Sequence, residues 1–395
     1  MSTKQNAPER DGSVTIGVDF GTSSVRALVL DIQTGHEIAS SVAGFPRWDR
    51  GQYCDDSEAV FRQHPSESLD ALASAVADAL SSAGEKVRQA VVGLTIDTTG
   101  STPLPVDVHA RPLAFLPQFE HEPDALCHMW KDRSSHAEAQ ELTAAFAGRG
   151  VRQEIGYLDF AGGAYSPEWY WAKILHAARQ TPDVARASAT WVEHCDWLTA
   201  EITGVSDHRR IVRSRCGAAH KALWNSAFGG FPDAATFESI DPYLGSVRRT
   251  LPDETLTADR LAGTISREWA ERLGLPLNTG VGVALFDSHA GAIGAGVRDG
   301  RIVKSIGTSS ADIAVAAREG LVAYPVPGVE SQAEGSVWPE LIGIEAGQAA
   351  FGDLLAWLAR LLLSGSERLK HETDDQAIRR VLARLEEQAS RRGAG

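Results

Sequence analysis

The stretch Ile16-Gly-Val-Asp-Phe-Gly-Thr-Ser-Ser-Val-Arg-Ala-Leu-Val-Leu30 places a glycine turn between two segments rich in β-branched and apolar residues. This pattern predicts two strands joined by a tight turn, with one acid, Asp19, just before it. The tetrapeptide Gly-Thr-Ser-Ser at 21–24 recurs at 307–310, again flanked by apolar residues over 302–316. Two copies of one strand–turn–strand pattern predict two related domains.

Turns of this composition can bind a phosphate. Glycine permits a positive φ, so that consecutive backbone N–H groups converge on one anion, and the hydroxyl groups add further donors. The residues expected to hold a polyphosphate are Gly21, Thr22, Ser23, Gly307, Thr308 and Ser309. A single such turn is more often an ordinary hairpin turn, but its repetition favours phosphate binding.

Composition limits the class of protein. The 395 residues suffice for two or three domains, and 43% apolar with 23% charged residues is typical of a soluble globular chain. The net charge of −14 argues against affinity for nucleic acid or for an anionic membrane. The apolar run at 354–363 is interrupted by Arg360 and is too short to span a bilayer. We therefore expect no nucleic-acid partner and no membrane partner.

The cysteine pattern predicts a reducing compartment. The chain has four scattered cysteines, without a Cys-x-x-Cys motif or a secretory signal: Cys54, Cys127, Cys195 and Cys216. We expect a cytoplasmic protein without a disulfide framework. His121, Cys127 and His128 lie close in sequence, but a closed zinc site would need a fourth soft ligand, so we favour no zinc there.

Regular patterns continue after the first turn. Val25–Asp31 and Glu37–Val42 are predicted to be antiparallel strands. Apolar residues three or four apart over 66–82 predict a helix with one buried face, and Ser66 and Ser68 are candidate N-caps.

A second group of polar residues follows a predicted buried strand at Val91–Ile96. In open α/β sheets, ligands bind beyond the carboxyl ends of the strands. The residues expected at such a cleft are Asp97, Thr98, Thr99 and Gly100. A simple polar turn before Pro103 explains this segment equally well.

The middle third, roughly 110–280, is rich in tryptophan and mostly helical in pattern. Ser166 followed by Pro167 and an acid predicts a helix over 166–176 that begins with a serine cap. We expect its aromatic side chains to belong to the core.

Asp287 is the leading candidate for catalysis. The segment 282–296 reads as a strand, a turn at Asp287 and a helix of small residues. An acid at this position is often only an N-cap. Beside a cleft, however, it can orient a sugar hydroxyl and accept its proton during phosphoryl transfer.

Together these residues resemble the FGGY family of carbohydrate kinases, within the actin/hexokinase/heat-shock-chaperone superfamily, and most closely its ribulokinase branch. The paired Gly-Thr-Ser-Ser loops indicate the superfamily. The segments that resemble the ribulokinase branch are 97–102, 130–132, 163–176, 195–197, 215–224, 286–287 and 343–348.

The resemblance implies an α/β fold with duplicated ribonuclease-H-like (actin/hexokinase-type) domains and a cleft between them. It implies ATP-dependent phosphorylation of L-ribulose at its terminal hydroxyl, in L-arabinose catabolism, and it leaves a homodimer open. Asp287 matches the catalytic base of the family, and Asp19 matches the acid that holds Mg²⁺ beside the phosphates. The positions that resemble sugar contacts are Gly100, Lys221 and Glu345, with Thr98, Thr99 and Asp287 beside them. Without the resemblance, Lys221 would be taken for a surface lysine.

The domain boundaries follow from the two loops. Residues 1–12 are a polar lead expected to be disordered, 13–296 an N-terminal sugar-binding kinase domain, and 297–395 the start of a C-terminal kinase domain. A charged helical pattern at 377–387 stands where a second buried strand is expected, so we expect an incomplete second domain that lacks the adenosine-binding segment of the family. Alternatives are a non-catalytic sugar-binding remnant, a kinase for another ketopentose or polyol, and, less favoured, a chaperone- or actin-type ATPase.

Overall fold

Two larger β-sheets, of seven and four strands, form the framework of the fold. The structure is a computed structural model that describes residues 12–152, 155–307, 309–317, 324–348, 350–363 and 372–391. Within these residues the strands are β1 (Val14–Phe20), β2 (Ser24–Asp31), β3 (Glu37–Gly44), β4 (Cys54–Asp55), β5 (Val60–Gln63), β6 (Val91–Thr98), β7 (Pro103–Val106), β8 (Cys127–His128), β9 (Gly150–Arg152), β10 (Ile155–Gly156), β11 (Thr190–Glu193), β12 (Leu261–Thr264), β13 (Gly280–Gly282), β14 (Leu285–Phe286), β15 (Val303–Ile306), β16 (Ser310–Ala316), β17 (Ser331–Glu334) and β18 (Ile342–Gln348).

The α-helices in the same residues are α1 (Pro46–Asp49), α2 (Pro65–Ala83), α3 (Glu85–Gln89), α4 (His136–Phe146), α5 (Tyr170–Gln180), α6 (Pro182–Ala187), α7 (His194–Ile202), α8 (Arg215–Lys221), α9 (Ala234–Glu238), α10 (Pro242–Thr250), α11 (Arg267–Leu273), α12 (Asp287–Gly294), α13 (Gly352–Leu363) and α14 (Asp374–Arg391). None of the helices described here is both long and apolar enough to cross a bilayer.

The seven-stranded sheet has the order β12-β13-β6-β1-β2-β3, and β14 also pairs with β6. β1, β2 and β3 are antiparallel neighbours, whereas β6 is parallel to β1, β13 and β14. The strands predicted at 25–31, 37–42 and 91–96 are therefore confirmed. β6 continues through Asp97 and Thr98, because these residues still pair with β1 and β14.

Burial in this sheet follows the alternation of the sequence. Every second side chain of β1 is buried, as expected for a strand with one face on the core. The predicted helix at 66–82 is confirmed as α2, and its apolar face joins β1 and β2 in one hydrophobic core. The core positions that define this contact are Ile16, Val18, Phe20, Val25, Leu72, Val76 and Leu80.

The predicted caps of α2 were wrong. Pro65 occupies the first helical turn, so the helix begins earlier than Ser66, and His64 is the N-cap, with its side chain accepting a hydrogen bond from the Ser66 N–H at 3.2 Å. Ser68 lies inside the helix and its hydroxyl pairs with His194 Nε2 at 3.0 Å.

A layer of helices and aromatic residues fills the middle of the chain. Trp169, Tyr170 and Trp171 are buried in this layer, which confirms the prediction that the aromatic residues of 166–176 belong to the core. The helix predicted from Ser166 begins only at Tyr170. Ser166 instead closes a turn in which its hydroxyl accepts from the Glu168 N–H, while the Pro167 carbonyl accepts a hydrogen bond from Ser135 Oγ.

Lys173 connects this helical layer to the first sheet. Its side chain is buried on α5, and its ammonium group donates to the carbonyl oxygens of Ser101 at 2.8 Å and Met129 at 2.7 Å. Burial lowers the pKa of Lys173 to about 7, against the opposing charges of Glu193 and Glu168. Its hydrogen bonds hold α5 against the segment that follows β6.

The four-stranded sheet has the order β15-β16-β18-β17, with all neighbours antiparallel. The second strand–turn–strand pattern is thus confirmed as β15 and β16. α12 packs against this sheet through Ala292, which contacts Ile313 and Val315 in a small core. The helical pattern at 377–387 is confirmed within α14, which packs on α13.

Candidate active site

A cavity of about 1250 Å³ lies between the two sheets. The predicted site residues that line it are Asp19, Gly21, Thr22, Thr99, Gly100, Lys221, Asp287, Gly307, Ser309 and Glu345. Ser23 and Thr98 are not among the lining residues, and Thr98 is fully buried in β6. Thr308 lies outside the described residues. One cleft therefore contains residues from both glycine loops and from the proposed sugar contacts.

Strand register brings three acids to one edge of the first sheet. Asp19 pairs with Asp97 in the parallel β1–β6 ladder, and Asp97 also pairs with Leu285 of β14. Asp287 directly follows β14 and begins α12. Because the carboxyl ends of parallel strands meet at one edge, Asp19, Asp97 and Asp287 all face the cleft.

The environment of these acids raises two of their pKa values. Desolvation, with the nearby Asp19 and Glu345 carboxylates, raises the pKa of Asp287 to about 7, although the Ser288 N–H donates to its Oδ1. Desolvation and the charges of Asp19 and Asp287 raise the pKa of Asp97 to about 9. Like charges in a poorly hydrated cleft favour the protonated form of a carboxyl group. Asp287 is thereby suited to take up a proton near neutral pH.

The two glycine loops are tight hairpin turns. The Gly21 N–H donates to the Ser24 carbonyl at 3.0 Å, and the Gly307 N–H donates to the Ser309 carbonyl at 2.8 Å. Neither glycine has a positive φ, so the expectation of a left-handed glycine at each loop was wrong. The backbone hydrogen bond of each glycine closes its turn without a positive φ. A Cβ atom at either glycine would meet nothing closer than 3.5 Å, so both positions leave space on the cleft side.

The hydroxyl of Thr22 can donate a hydrogen bond to a ligand in the cleft. Trp130 Nε1 donates to Thr22 Oγ1 at 3.0 Å, which uses an acceptor position of the hydroxyl and leaves its hydrogen free for a ligand. Trp130 also lines the cavity.

Lys221 is buried, contrary to its interpretation as a surface lysine. It ends α8 with its Nζ 3.1 Å from Glu330 Oε1 and 3.1 Å from Glu345 Oε2. Burial alone would lower the pKa of Lys221, but the two carboxylates raise it above its usual value. Burial alone would raise the pKa of Glu345, but Lys221 and two neighbouring histidines hold it well below its usual range. The cleft therefore presents a charged donor beside charged acceptors.

Gly100 is explained by a close approach. A Cβ atom there would overlap the ring of Phe286, the residue before Asp287. The glycine thus lets the loop after β6 lie against the start of α12.

The family model that matches this chain is the FGGY family of carbohydrate kinases, N-terminal domain, over residues 14–294. The chain belongs to this family. A ribulokinase of Vibrio parahaemolyticus is 40% identical over 364 residues, which cover 92% of this chain and 64% of the relative. A ribulokinase of Shouchella clausii is 34% identical and covers 95% of this chain and 65% of the relative. The chain thus spans just under two thirds of the length of these relatives.

Solved structures of sugar kinases share the α/β fold of this FGGY chain. The xylulose kinase of Rhodospirillum rubrum superposes with a TM-score of 0.68 at 20% identity, covering 96% of this chain and 67% of that chain. The glycerol kinase of Plasmodium falciparum with ADP has a TM-score of 0.66 at 14% identity, covering 90% and 64%.

Sequence analysis of this FGGY chain did not single out Glu330, which lines the cleft, or two histidines behind it. Two histidines near Glu345 stand beside residues that were singled out: His220 precedes Lys221, and His289 follows Asp287 by two positions. His220 Nδ1 lies 3.1 Å and His289 Nε2 3.7 Å from Glu345 Oε2. Because both histidines lie beside predicted site residues, the sequence could have indicated them as candidates. Glu330 lies in no recognisable pattern.

Proposed function

We propose that this chain carries the sugar-binding and catalytic residues of an ATP-dependent kinase that converts L-ribulose to L-ribulose 5-phosphate in L-arabinose catabolism. The observation that carries the proposal is the position of Asp287, which faces one cleft together with the Lys221–Glu345 pair and both glycine loops. The ribulokinases at 40% and 34% identity support the choice of sugar. Four free cysteines suit a cytoplasmic setting.

Asp287 is the proposed general base. Its carboxylate accepts the proton of the terminal sugar hydroxyl as the oxygen attacks the γ-phosphorus in line. The Ser288 N–H, which donates to Oδ1 at 2.6 Å, fixes the carboxylate and leaves Oδ2 for the hydroxyl. The base thus acts from a helix start that packs on the second sheet and follows a strand of the first.

Lys221, Glu330 and Glu345 are proposed to recognise the sugar. A ketopentose offers hydroxyl groups and one carbonyl, which need both acceptors and a strong donor. A sugar of the wrong shape would disturb the ion pairs among these side chains without replacing them, so the network discriminates more strongly than an apolar pocket could.

The two loops are proposed to hold the ATP phosphates, and Asp19 the Mg²⁺ ion. The carboxylate oxygens of Asp19 and its neighbours at the cleft edge are the hard donors that Mg²⁺ prefers. When bound with the nucleotide, Mg²⁺ neutralises phosphate charge. The hydroxyl of Thr22 and the backbone of both turns orient the phosphates toward Asp287, and the cleft walls exclude water from the transfer.

The test is a calorimetric titration of this chain with L-ribulose and then with Mg-ATP, followed by a coupled assay of ADP release. We expect L-ribulose to bind and to be phosphorylated faster than D-ribulose, D-xylulose or ribitol. Lys221→Met should remove most of the sugar affinity, whereas Lys86→Met, on the exposed surface of α3, should not change it.

Different results would select other functions. Sugar binding without ATP binding would favour a sugar-binding protein over a kinase. Faster turnover of another ketose or polyol would keep the reaction and replace the substrate. ATP hydrolysis that no sugar stimulates would contradict the proposal.

A further inference from the structure

A cluster of soft metal ligands lies behind the cleft. Cys216, His220 and His289 each offer a donor atom within 4.8 Å of the others, the only such group of metal-ligating side chains in the described residues. Cys216 and His220 are one turn apart on α8, and His289 lies in the first turn of α12. All three side chains are buried, with at most 2% of their surface exposed. Two helices therefore converge on one dry, enclosed point.

The histidines have one nitrogen engaged and one without a hydrogen bond. His220 Nδ1 contacts Ser331 Oγ and Glu345 Oε2, and His289 Nδ1 lies 3.3 Å from Ser288 Oγ. The Nε2 atoms of both rings are buried and make no hydrogen bond to any residue that the structure describes. A buried polar atom without a partner destabilises the fold, so two in one cluster need an explanation.

The pattern is that of metal-ligating histidines. Such residues usually hold one ring nitrogen on a carboxylate, hydroxyl or carbonyl group and present the other nitrogen to the ion. The contact of His220 Nδ1 with Glu345 matches that arrangement. In the part of the chain that the structure describes, the Cys216 Sγ accepts one hydrogen bond, from the Phe286 N–H at 3.5 Å, and keeps a lone pair for an ion.

We propose that Cys216, His220 and His289 form a binding site for a soft divalent transition metal, with Zn²⁺ as the natural candidate. One thiolate and two imidazoles, with a water molecule as the fourth ligand, suit Zn²⁺ and are poor ligands for Mg²⁺. On binding, the Cys216 S–H bond is replaced by a sulfur–metal bond, and the proton leaves to solvent. The donor atoms of a tetrahedral zinc site stand about 3.3–3.8 Å apart, so the side chains need to draw together by roughly 1 Å.

The site is separate from the proposed Mg²⁺ position and does not depend on the proposed kinase reaction. Lys221 follows His220, and Asp287 precedes His289 by two positions. A bound ion would therefore lie directly behind the sugar-reading side chains. A bound ion could therefore shift the position of Lys221 or Asp287 in the cleft.

The test is a Co²⁺ titration of the reduced, metal-free full chain, followed by absorption. We expect one equivalent of Co²⁺ to give the thiolate-to-metal charge-transfer band and the intense d–d bands of a tetrahedral site, and Zn²⁺ to displace it. Cys216→Ser should remove the charge-transfer band, and His289→Gln should weaken Co²⁺ binding at least tenfold. Cys127→Ser, at another buried cysteine, and Cys54→Ser should keep both.

A second measurement protects the result against variants that do not fold. One equivalent of Zn²⁺ should raise the melting temperature of the unmodified chain and of Cys127→Ser, and chelation should reverse the shift. The proposal is overturned if the cooperatively folded, unmodified chain shows no saturable thiolate–Co²⁺ band, or if that band persists in folded Cys216→Ser.

Discussion

The two strand–turn–strand units share the tetrapeptide Gly-Thr-Ser-Ser but differ in how they are packed. In the first unit Ile16 and Phe20 are each 1% exposed. The residues at the same distance from the second loop, Ile302 and Ile306, are 68% and 61% exposed. A repeated local sequence therefore reproduces the turn but not the burial of its strands.

The cause of the difference lies outside the repeats. β1 is a central strand, paired on both sides and covered by α2, whereas β15 pairs only with β16 in the described part of the second sheet. Hydrophobic stabilisation scales with the apolar area removed from water, and that area is set by the neighbouring elements. The comparison thus separates what a turn does at the cleft from what its strands do for stability.

The largest expected effect concerns Asp287, which stands between the two units. Asp287→Asn keeps the size of the side chain but removes the base, so we expect kcat to fall by about 10²- to 10⁴-fold. Sugar affinity should stay within a few fold, because the base acts mainly in the transition state. The coupled assay and the sugar titration measure the two effects. Asp78→Asn, on the exposed face of α2, is the matched control, and comparable turnover in Asp287→Asn would remove this residue from catalysis.

The packing difference itself can be tested with a matched pair. Ile16→Ala empties a buried position and should lower the free energy of unfolding by about 2–4 kcal/mol. Ile302→Ala, at the equivalent exposed position, should change it by less than about 0.5 kcal/mol. Urea denaturation at neutral pH gives both values. Equal losses would mean that the second strand is covered in solution.

A smaller effect appears on acidification, again at the first unit. His194 contacts the ring of Phe20 and is fully buried, and desolvation lowers its pKa to about 3. The unfolded chain binds this proton near pH 6.5 and the folded chain does not, so stability falls as the pH drops from about 6.5 toward 3. At pH 5 this group alone should cost about 2 kcal/mol.

His194→Gln isolates this contribution. The variant should lose less unfolding free energy between pH 7 and pH 5 than the unmodified chain, whatever its stability at pH 7. An identical pH dependence in the two chains would show that His194 is not kept neutral by burial.

The smallest expected effect compares the loops as phosphate ligands. Thr22→Val and Ser309→Ala each remove one hydroxyl donor, so each should weaken Mg-ATP binding by about five- to tenfold. Thr22→Ser keeps the hydroxyl and should bind as the unmodified chain does. Calorimetry measures the Mg-ATP affinity of each variant. If only Thr22→Val binds Mg-ATP more weakly, the Ser309 hydroxyl of the second loop is not a phosphate ligand.

The elements of the first sheet were predictable because each has its own periodicity. The spacing of apolar residues correctly predicted β1, β2 and α2. The order of a strand, an acid and a run of small residues correctly predicted α12. The start of α5 was misjudged, because Ser166 forms a local turn with Glu168 and the Pro167 carbonyl pairs with Ser135 on another segment. Local signals do not report such tertiary hydrogen bonds.

The site was predictable only in part. Asp19 and Asp97 lie at the carboxyl ends of β1 and β6, and Asp287 directly follows β14, so all three acids could be expected at one edge. The burial of Lys221 could not, because its partners Glu330 and Glu345 lie more than a hundred residues away in sequence. The free nitrogens of His220 and His289 are likewise visible only in three dimensions.

The buried amino group of Lys173 couples the opening of three segments of the molecule. It joins α5 to the backbone on both sides of the cleft edge, at Ser101 and Met129. Releasing either segment would leave a buried amino group short of acceptors, so neither can separate alone at low cost. The slowest-exchanging amide hydrogens of α5 and of these two segments should therefore belong to one cooperative unit, which is lost in a single event.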